Sequence, residues 1–447
     1  MRMAGHLYHA LRFEAAHCTG CMSCARICPT QAIRVHRGHA VMLEDRCIDC
    51  GECFKACQKG AVVSLTDTIA DLSKFVYKVA VPSPALYTEF DPEIAPGVIL
   101  QALKLCGFDD AVSMSASCGS TTVATELFFA EYRGQYPLIS SFCPAVVRLI
   151  QIKYPDLVEQ LMPILSPREV AAKEIKAQKV QETGLKPEAI AVVYITPCPA
   201  KMVAIASHPG TEASYFDSAV SIRDIFQILA SAVARVRANG EAPAETESSK
   251  GLSWAYLGGV PRMVPAENSL SVAGMTNVIR ILDDIEKGRL RGYAFVECHG
   301  CPEGCVSGAL TVENPYVARA RAIRLSQSLG EGPATERPKV EALYAQGFYH
   351  VKARPGAQPL KPLDSDISRA IAKMKERDLI LGLLPGIDCG ACGAPSCEAF
   401  AEDVVLRHAE ESSCVFIRQR QVTELVERLS ELVGFQSQEE RGKGGRK

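Results

Sequence analysis

Neither sign of charge dominates this chain. Its 49 basic and 51 acidic residues leave a formal net charge of −2 over 447 residues. Nothing in that balance invites nucleic acid or an anionic membrane surface. No stretch is long, apolar and uncharged enough to span a membrane. The N-terminus lacks a basic segment followed by an apolar core and a cleavage site, so no secretory signal is read. What the chain has in excess is cysteine, 19 in all. Without export, that density predicts metal or redox chemistry in a reducing cytoplasm, in an anaerobe, rather than a disulfide framework. The length predicts roughly two to four domains.

Sixteen of the cysteines fall into four sets of four. Cys18, Cys21, Cys24 and Cys28 form a C-x2-C-x2-C-x3-C run closed by Pro29. Cys47, Cys50, Cys53 and Cys57 repeat the spacing, with Gln58 in place of the proline. These two halves are an imperfect internal repeat, each ending in a short apolar stretch. Cys389, Cys392, Cys397 and Cys414 form a third set, which begins in a Gly-rich loop. Cys143, Cys198, Cys301 and Cys305 are spread over three separate motifs. All-thiolate sets of four suit 4Fe-4S clusters. Structural zinc is the competing reading, but its ligands usually come as two separated cysteine pairs.

Between the flanking cysteine modules the pattern reads as α/β. Phe75–Val81, Ile190–Ile195 and Tyr293–Val296 have the length of buried parallel strands. Ala145–Ile152 and Ile222–Val233 fit helices. Glu241–Lys250 reads as an exposed loop, Gly330–Arg337 as a boundary, and the stretch from Gln436 onward as disordered. The expected layout is a cysteine module over 1–70, a core over 71–328, a four-cysteine domain over 360–418, and an amphipathic helix with a disordered tail over 419–447. In that helix Val422, Leu425, Val426, Leu429, Leu432 and Val433 share one face, which either docks back or meets a partner helix. The three scattered motifs all follow apolar runs. Ligands at the C-terminal ends of strands in an open α/β sheet converge on one crevice. Pro144 places Cys143 at a helix N-terminus, where free amides and the helix dipole favour an anionic thiolate.

The first 65 residues resemble the two-cluster ferredoxins. The resemblance implies that Cys57 joins Cys18, Cys21 and Cys24, while Cys28 joins Cys47, Cys50 and Cys53. The Cys389 motif resembles the small four-cysteine 4Fe-4S domain of anaerobic electron-transfer and corrinoid proteins. The chain up to about residue 325 closely resembles the FeFe-hydrogenase large subunit. The motifs that carry this are Ser140-Ser141-Phe142-Cys143-Pro144, Thr196-Pro197-Cys198-Pro199-Ala200-Lys201, and Glu297 to Cys305. In the family they read TSCCP, MPCxxK and ExMxCxxGC. The resemblance implies that Cys143, Cys198, Cys301 and Cys305 hold the cubane half of an H-cluster. Cys305 would bridge to a diiron half bearing CO and CN ligands, and Lys201 would hydrogen-bond a diiron cyanide.

The departures from the family pattern fall on the proton path. The first TSCCP cysteine, which hands protons to the diiron unit, is Phe142, and phenylalanine has no exchangeable proton. The next relay glutamate aligns with Val123; only the second, Glu126, stands. The relay serine falls near Met162 or Pro163. The methionines of MPC and ExMxC are Thr196 and His299, and His299 either caps a loop or takes a hydrogen-bonding or proton role. Cys106 reads as a buried small hydrophobe, and Cys118 and Cys298 as buried thiols with a minor redox alternative.

The pattern implies an iron–sulfur protein with four 4Fe-4S clusters, two N-terminal, one central and one C-terminal. It would sense H2 or redox state, or activate H2 at low turnover, with electrons passing through the accessory clusters. Its expected partners are a redox donor or acceptor of the ferredoxin or hydrogenase-subunit type, H2 and protons, and a signalling protein. Two alternatives stand beside this: an active hydrogenase with a rewired proton path, and a cubane-only electron carrier or scaffold.

Overall fold

The computed structural model describes residues 8–206, 213–240, 247–260, 268–331 and 335–443, with side chains to residue 431. The chain forms two compact units. One comprises Met1–Arg12, Glu44–Lys55 and Val62–Pro359; the other comprises Phe13–Leu43, Ala56–Ala61 and Leu360–Lys447. This differs from the layout the sequence predicts, because the N-terminal cysteine module is divided between the two. The reason lies in what each half packs on. Gly51, at φ +82°, sits so close to Ala309 and Pro199 that a Cβ there would come within 2.3 Å of the Ala309 methyl. Cys47, Cys50 and Cys53 of the second cysteine run are thereby fixed to the α/β core, while Cys57 belongs to the other unit. The first run builds its own unit with the C-terminal residues.

In the larger unit, four parallel strands lie in the order Asp110–Ala111, Tyr77–Pro82, Ile190–Thr196, Ser218–Ser221. Ile190–Thr196 is buried along its whole length, which a near-continuous apolar run requires when both sheet faces are covered. Alternation divides its side chains between two cores. Val192 and Tyr194 join Cys118, Ala124, Val170 and Ile175 from the helices Ser115–Glu131 and Pro167–Thr183. Val193 and Ile195 join Ile99, Ile225, Leu229 and Ala318 from the helices Pro96–Leu105, Ile222–Ala238 and Pro315–Ser328. Each fully buried Val or Ile contributes about 1.5–3 kcal/mol.

A second parallel sheet of three strands runs Ser269–Ala273, Phe295–His299, Leu138–Ile139. The single open sheet expected from the sequence is therefore two sheets. The strand expected at Tyr293–Val296 begins two residues later and extends to His299. The helix expected at Ile222–Val233 continues to Ala238. Ser221 caps its N-terminus, accepting a hydrogen bond from the Asp224 amide at 3.0 Å, and Ile225, Leu229, Ala232, Val233 and Val236 bury one stripe.

Three boundary expectations change. The core runs past residue 328, since Tyr349 is fully buried and its carbonyl accepts from Leu165 N. The loop expected over Glu241–Lys250 lies outside the described residues up to 246, and its described end is not exposed: Glu247 and Ser248 are buried, and Glu247 accepts from Ser113 Oγ at 2.7 Å. Residues 332–334 of the expected boundary also lie outside the described residues. The third change is at the C-terminus: the helix Val415–Lys443 continues through Gln436, where composition reads as disorder.

In the smaller unit, Ile33–His36 and His39–Met42 form an antiparallel hairpin. Arg37 and Gly38 turn it with φ of +50° and +81°, the left-handed pair a two-residue hairpin needs. The helices Ile367–Leu383, Cys397–Val405 and Val415–Lys443 enclose a small core of Ile380, Leu384, Phe400, Val404 and Ile417. Val422, Leu425, Val426 and Leu429 are exposed rather than docked.

Candidate metal centre

Cys143, Cys198, Cys301 and Cys305 line one cavity of about 60 Å³. Each comes from the end of a strand or the loop behind it. Cys143 is the N-cap of the helix Pro144–Lys153, as Pro144 predicts, and its carbonyl takes the amides of Val146 and Val147. Cys198 follows Ile190–Thr196. Its N–H donates to Thr196 Oγ1 at 3.2 Å, so the threonine fixes the turn. Cys301 and Cys305 follow Phe295–His299. Ser140 Oγ accepts from Cys298 N at 2.9 Å and ties the first motif to that strand. Among the described residues no cysteine forms a disulfide.

The electrostatics divide the four. Burial pushes the Cys198 thiol up to about 11 and raises Cys301 well above its ordinary value, the other thiols adding to it. Burial works the same way on Cys305, but Lys201 and His299 more than offset it and bring that thiol down to about 6. Lys201 Nζ donates to Cys305 Sγ at 3.2 Å. Burial acts to lower the Lys201 pKa, and the neighbouring Cys305 outweighs it. His299 Nε2 lies 3.0 Å from Glu297 Oε1; burial opposes its charge, but Cys305 and Glu297 lift it to about 10. Glu297 is itself held by Gly258 N at 2.9 Å. Four convergent thiols with two cationic donors fit a 4Fe-4S cubane, whose ligands are thiolates. Two buried polar atoms of the cavity wall, Arg168 Nη1 and Trp254 Nε1, have no protein partner.

The other cysteine sets have places of their own. Cys18, Cys21 and Cys24 act on one another electrostatically, and Cys57 lies in the same compact unit. Cys47, Cys50 and Cys53 belong to the larger unit. The internal repeat survives in the amide-to-sulfur bonds: Ala32 N reaches Cys28 Sγ and Ala61 N reaches Cys57 Sγ, both at 3.2 Å and both four residues on. Such bonds stabilise cluster thiolates. Cys389, Cys392, Cys397 and Cys414 line one small cavity. Lys55 feels the charge of both Cys50 and Cys301, which puts the second run beside the central site.

The sequence matches known iron–sulfur protein families. The profile of the iron only hydrogenase large subunit, C-terminal domain, matches residues 76–267 and 262–309, just over half of the chain. The chain belongs to the iron-only hydrogenase large-subunit family. A 4Fe-4S dicluster domain matches residues 17–62, and an Fe-S cluster domain matches residues 384–416. The NADP-reducing hydrogenase subunit HndD of Solidesulfovibrio fructosivorans is 23% identical over 218 residues, covering 41% of this chain and 37% of that one. Iron hydrogenase 1 of Clostridium pasteurianum is 28% identical over 206 residues, covering 44% and 35%. The chain thus spans little more than a third of the relatives it matches. Among solved structures, a variant apo FeFe-hydrogenase from Chlamydomonas reinhardtii superimposes with a TM-score of 0.48 at 15% identity, over 65% of this chain and 98% of that one.

Within this family member, the departures from the relay pattern have definite places. Phe142 faces the cavity and packs edge-on against Trp254, ring centroids 4.8 Å apart. Val123 packs into the apolar core, and Met162 is buried. Glu126 does not line the cavity; it pairs with Arg337 at 2.9 Å and is partly exposed. Cys106, Cys118 and Cys298 are buried, with pKa values raised by burial, as expected of inert thiols. Cys118 lies in a helix, not in the loop its Ser/Gly-rich surroundings suggest. Sequence reasoning misses Arg168 and Trp254 as wall residues, and nothing in the sequence around either marks it. Glu297, the first letter of its motif, stands behind His299. Among the described residues no helix is long and apolar enough to cross a membrane.

Proposed function

We propose that this chain is a divergent FeFe-hydrogenase-type iron–sulfur protein that senses H2 or redox state at its central pocket, or activates H2 at low turnover. Cys143, Cys198, Cys301 and Cys305 would hold the central cubane. Cys305 would carry a diiron unit with CO and CN− ligands, which supplies the H2-binding chemistry when bound. Cys18, Cys21, Cys24, Cys57 and Cys47, Cys50, Cys53, Cys28 would hold two further 4Fe-4S clusters, and Cys389, Cys392, Cys397, Cys414 a third. Lys201 places a fixed positive charge beside Cys305. Phe142 and Trp254 present ring edges and faces where proton delivery would need a thiol or a carboxyl.

The observation that carries the reading is this pairing in one cavity: a complete thiol set and a phenylalanine at the relay position. On this reading the chain would need a partner that receives the signal and a ferredoxin-type or hydrogenase-subunit donor. A second reading, an active hydrogenase with a rewired path, draws on the Glu297–His299–Cys305 line, of which His299 and Cys305 line the cavity. The remaining alternative is a cubane-only carrier. Infrared spectra of protein matured anaerobically with diiron-insertion machinery separate them. CO and CN− bands that shift under H2, with negligible steady-state evolution, support the sensor. The same bands with evolution that falls in His299→Ala support the rewired enzyme. Absence of bands with cubanes intact removes hydrogen chemistry.

A further inference from the structure

The C-terminal four-cysteine loop is built onto the first cysteine run, within one compact unit. Arg34, on the strand Ile33–His36, makes a two-pronged pair with Asp403 on the helix Cys397–Val405: Nε to Oδ2 at 2.5 Å and Nη2 to Oδ1 at 3.1 Å. Both side chains are more than nine-tenths buried. Val35 N donates to the Gly393 carbonyl at 2.8 Å. Gly393 adopts φ +90°, and a Cβ there would lie 2.0 Å from the Val35 carbonyl oxygen, so only glycine permits this approach. Gln31 Nε2 donates to Ser396 Oγ at 3.2 Å. Arg26 Nη2 donates to the carbonyl of Cys389 itself at 2.6 Å. The contacts cluster at the cysteine loops themselves: Arg26 sits between Cys24 and Cys28, Gly393 and Ser396 between Cys392 and Cys397.

A module meant only to be carried would not need a desolvated ion pair and a glycine-only approach at its cysteine loop. A surface ion pair contributes little, whereas a buried two-pronged pair fixes one docking geometry. We infer that the C-terminal module is an electron port of this protein, and that its cluster exchanges electrons directly with the cluster of the first run. In each transfer one electron leaves the C-terminal cluster, which passes from the 1+ to the 2+ state, and enters the first-run cluster, which passes from 2+ to 1+. A low-potential one-electron donor restores the first; no atom or proton moves. Arg26 is the positioning residue, since its guanidinium stands between the two sets and holds a ligand's backbone. The inference rests on the reading that both sets carry 4Fe-4S clusters.

The test uses the full chain, anaerobically reconstituted and reduced with dithionite. Low-temperature electron paramagnetic resonance should show the C-terminal cluster broadened and fast-relaxing. In Cys21→Ser, which disables the first-run site, that signal should sharpen and relax more slowly. Asp403→Asn keeps both cysteine sets and should weaken the interaction while the iron content stays unchanged. Arg26→Gln removes the positive charge and should make the C-terminal midpoint potential more negative without moving that of the central cluster. A C-terminal signal identical in wild type and Cys21→Ser would overturn the inference. Cys397→Ser separates this from failure of the cluster reading: it should lose about four irons per chain. No loss of iron would remove the C-terminal cluster, and the port with it.

Discussion

At the residue scale, the central cavity turns on a few side chains. Phe142 occupies the position where the family pattern has a proton-bearing thiol, and its ring contact with Trp254 offers no acid or base to replace it. Phe142→Cys should therefore raise H2 evolution of the matured protein. A well-placed general acid contributes typically 10²–10⁴-fold, so a gain of about 10²-fold is expected if the rest of the path conducts. No gain, with the infrared bands intact, would move the block outward to Val123 or Met162. Lys201 lends itself to a test on cluster-free protein. The Cys305 thiol stands at about 6 and Cys198 at about 11, so at pH 7 the first is mostly thiolate and the second mostly thiol. Alkylation mapped by mass spectrometry should favour Cys305. Lys201→Met removes the cation that lowers Cys305, so its labelling profile should shift to higher pH. An unmoved profile would mean that Lys201 does not govern this thiol.

Among the secondary-structure elements, the apolar runs are readable because period and burial coincide. Ile190–Thr196 is apolar but for its Tyr194 hydroxyl and terminal threonine, and it lies buried on both faces. Pro144 alone places Cys143 at a helix start, since proline has no amide to leave unsatisfied there. The features that escape the sequence depend on long-range pairing. Arg34 and Asp403 are 369 residues apart, and nothing local marks either as buried. Gly393 has the surroundings of a loop glycine; its backbone meets the Val35 strand instead. Apolarity starts the Phe295–His299 strand two residues early, because Tyr293 and Ala294 are apolar yet lie outside the pairing with Leu138–Ile139. The ion pair gives a stability prediction at this scale. Removing one partner leaves a buried charge uncompensated, so Asp403→Ala should cost about 3–5 kcal/mol in the smaller unit. The double change Arg34→Met with Asp403→Leu removes both charges and should restore most of it. Denaturant unfolding followed by far-ultraviolet circular dichroism decides; equal losses in single and double variants would show that packing, not the buried charge, sets the cost.

For the whole molecule, the cysteine sets are legible and their grouping into units is not. Spacing says which thiols are near in sequence, but it does not say that the first run and Cys57 share a unit with residues from 360 onward, while Cys47, Cys50 and Cys53 share one with the hydrogenase core. That grouping predicts unequal dependence on iron. The larger unit has two parallel sheets and two extensive cores, so its fold rests mainly on apolar burial. The C-terminal part of the smaller unit has a small core that includes Cys414 itself, and small domains with so little core lean on metal for stability. Stripping iron with a chelator should therefore expose the smaller unit to proteolysis first. Early cuts are expected within 13–43 and 384–416, while fragments spanning 77–221 persist. The Asp403→Ala variant should be cut sooner still, since it loses the buried pair as well as the metal. Cuts distributed evenly over both units would show that iron holds the larger unit as much as the smaller one, and that the sheets cannot stand on apolar burial alone.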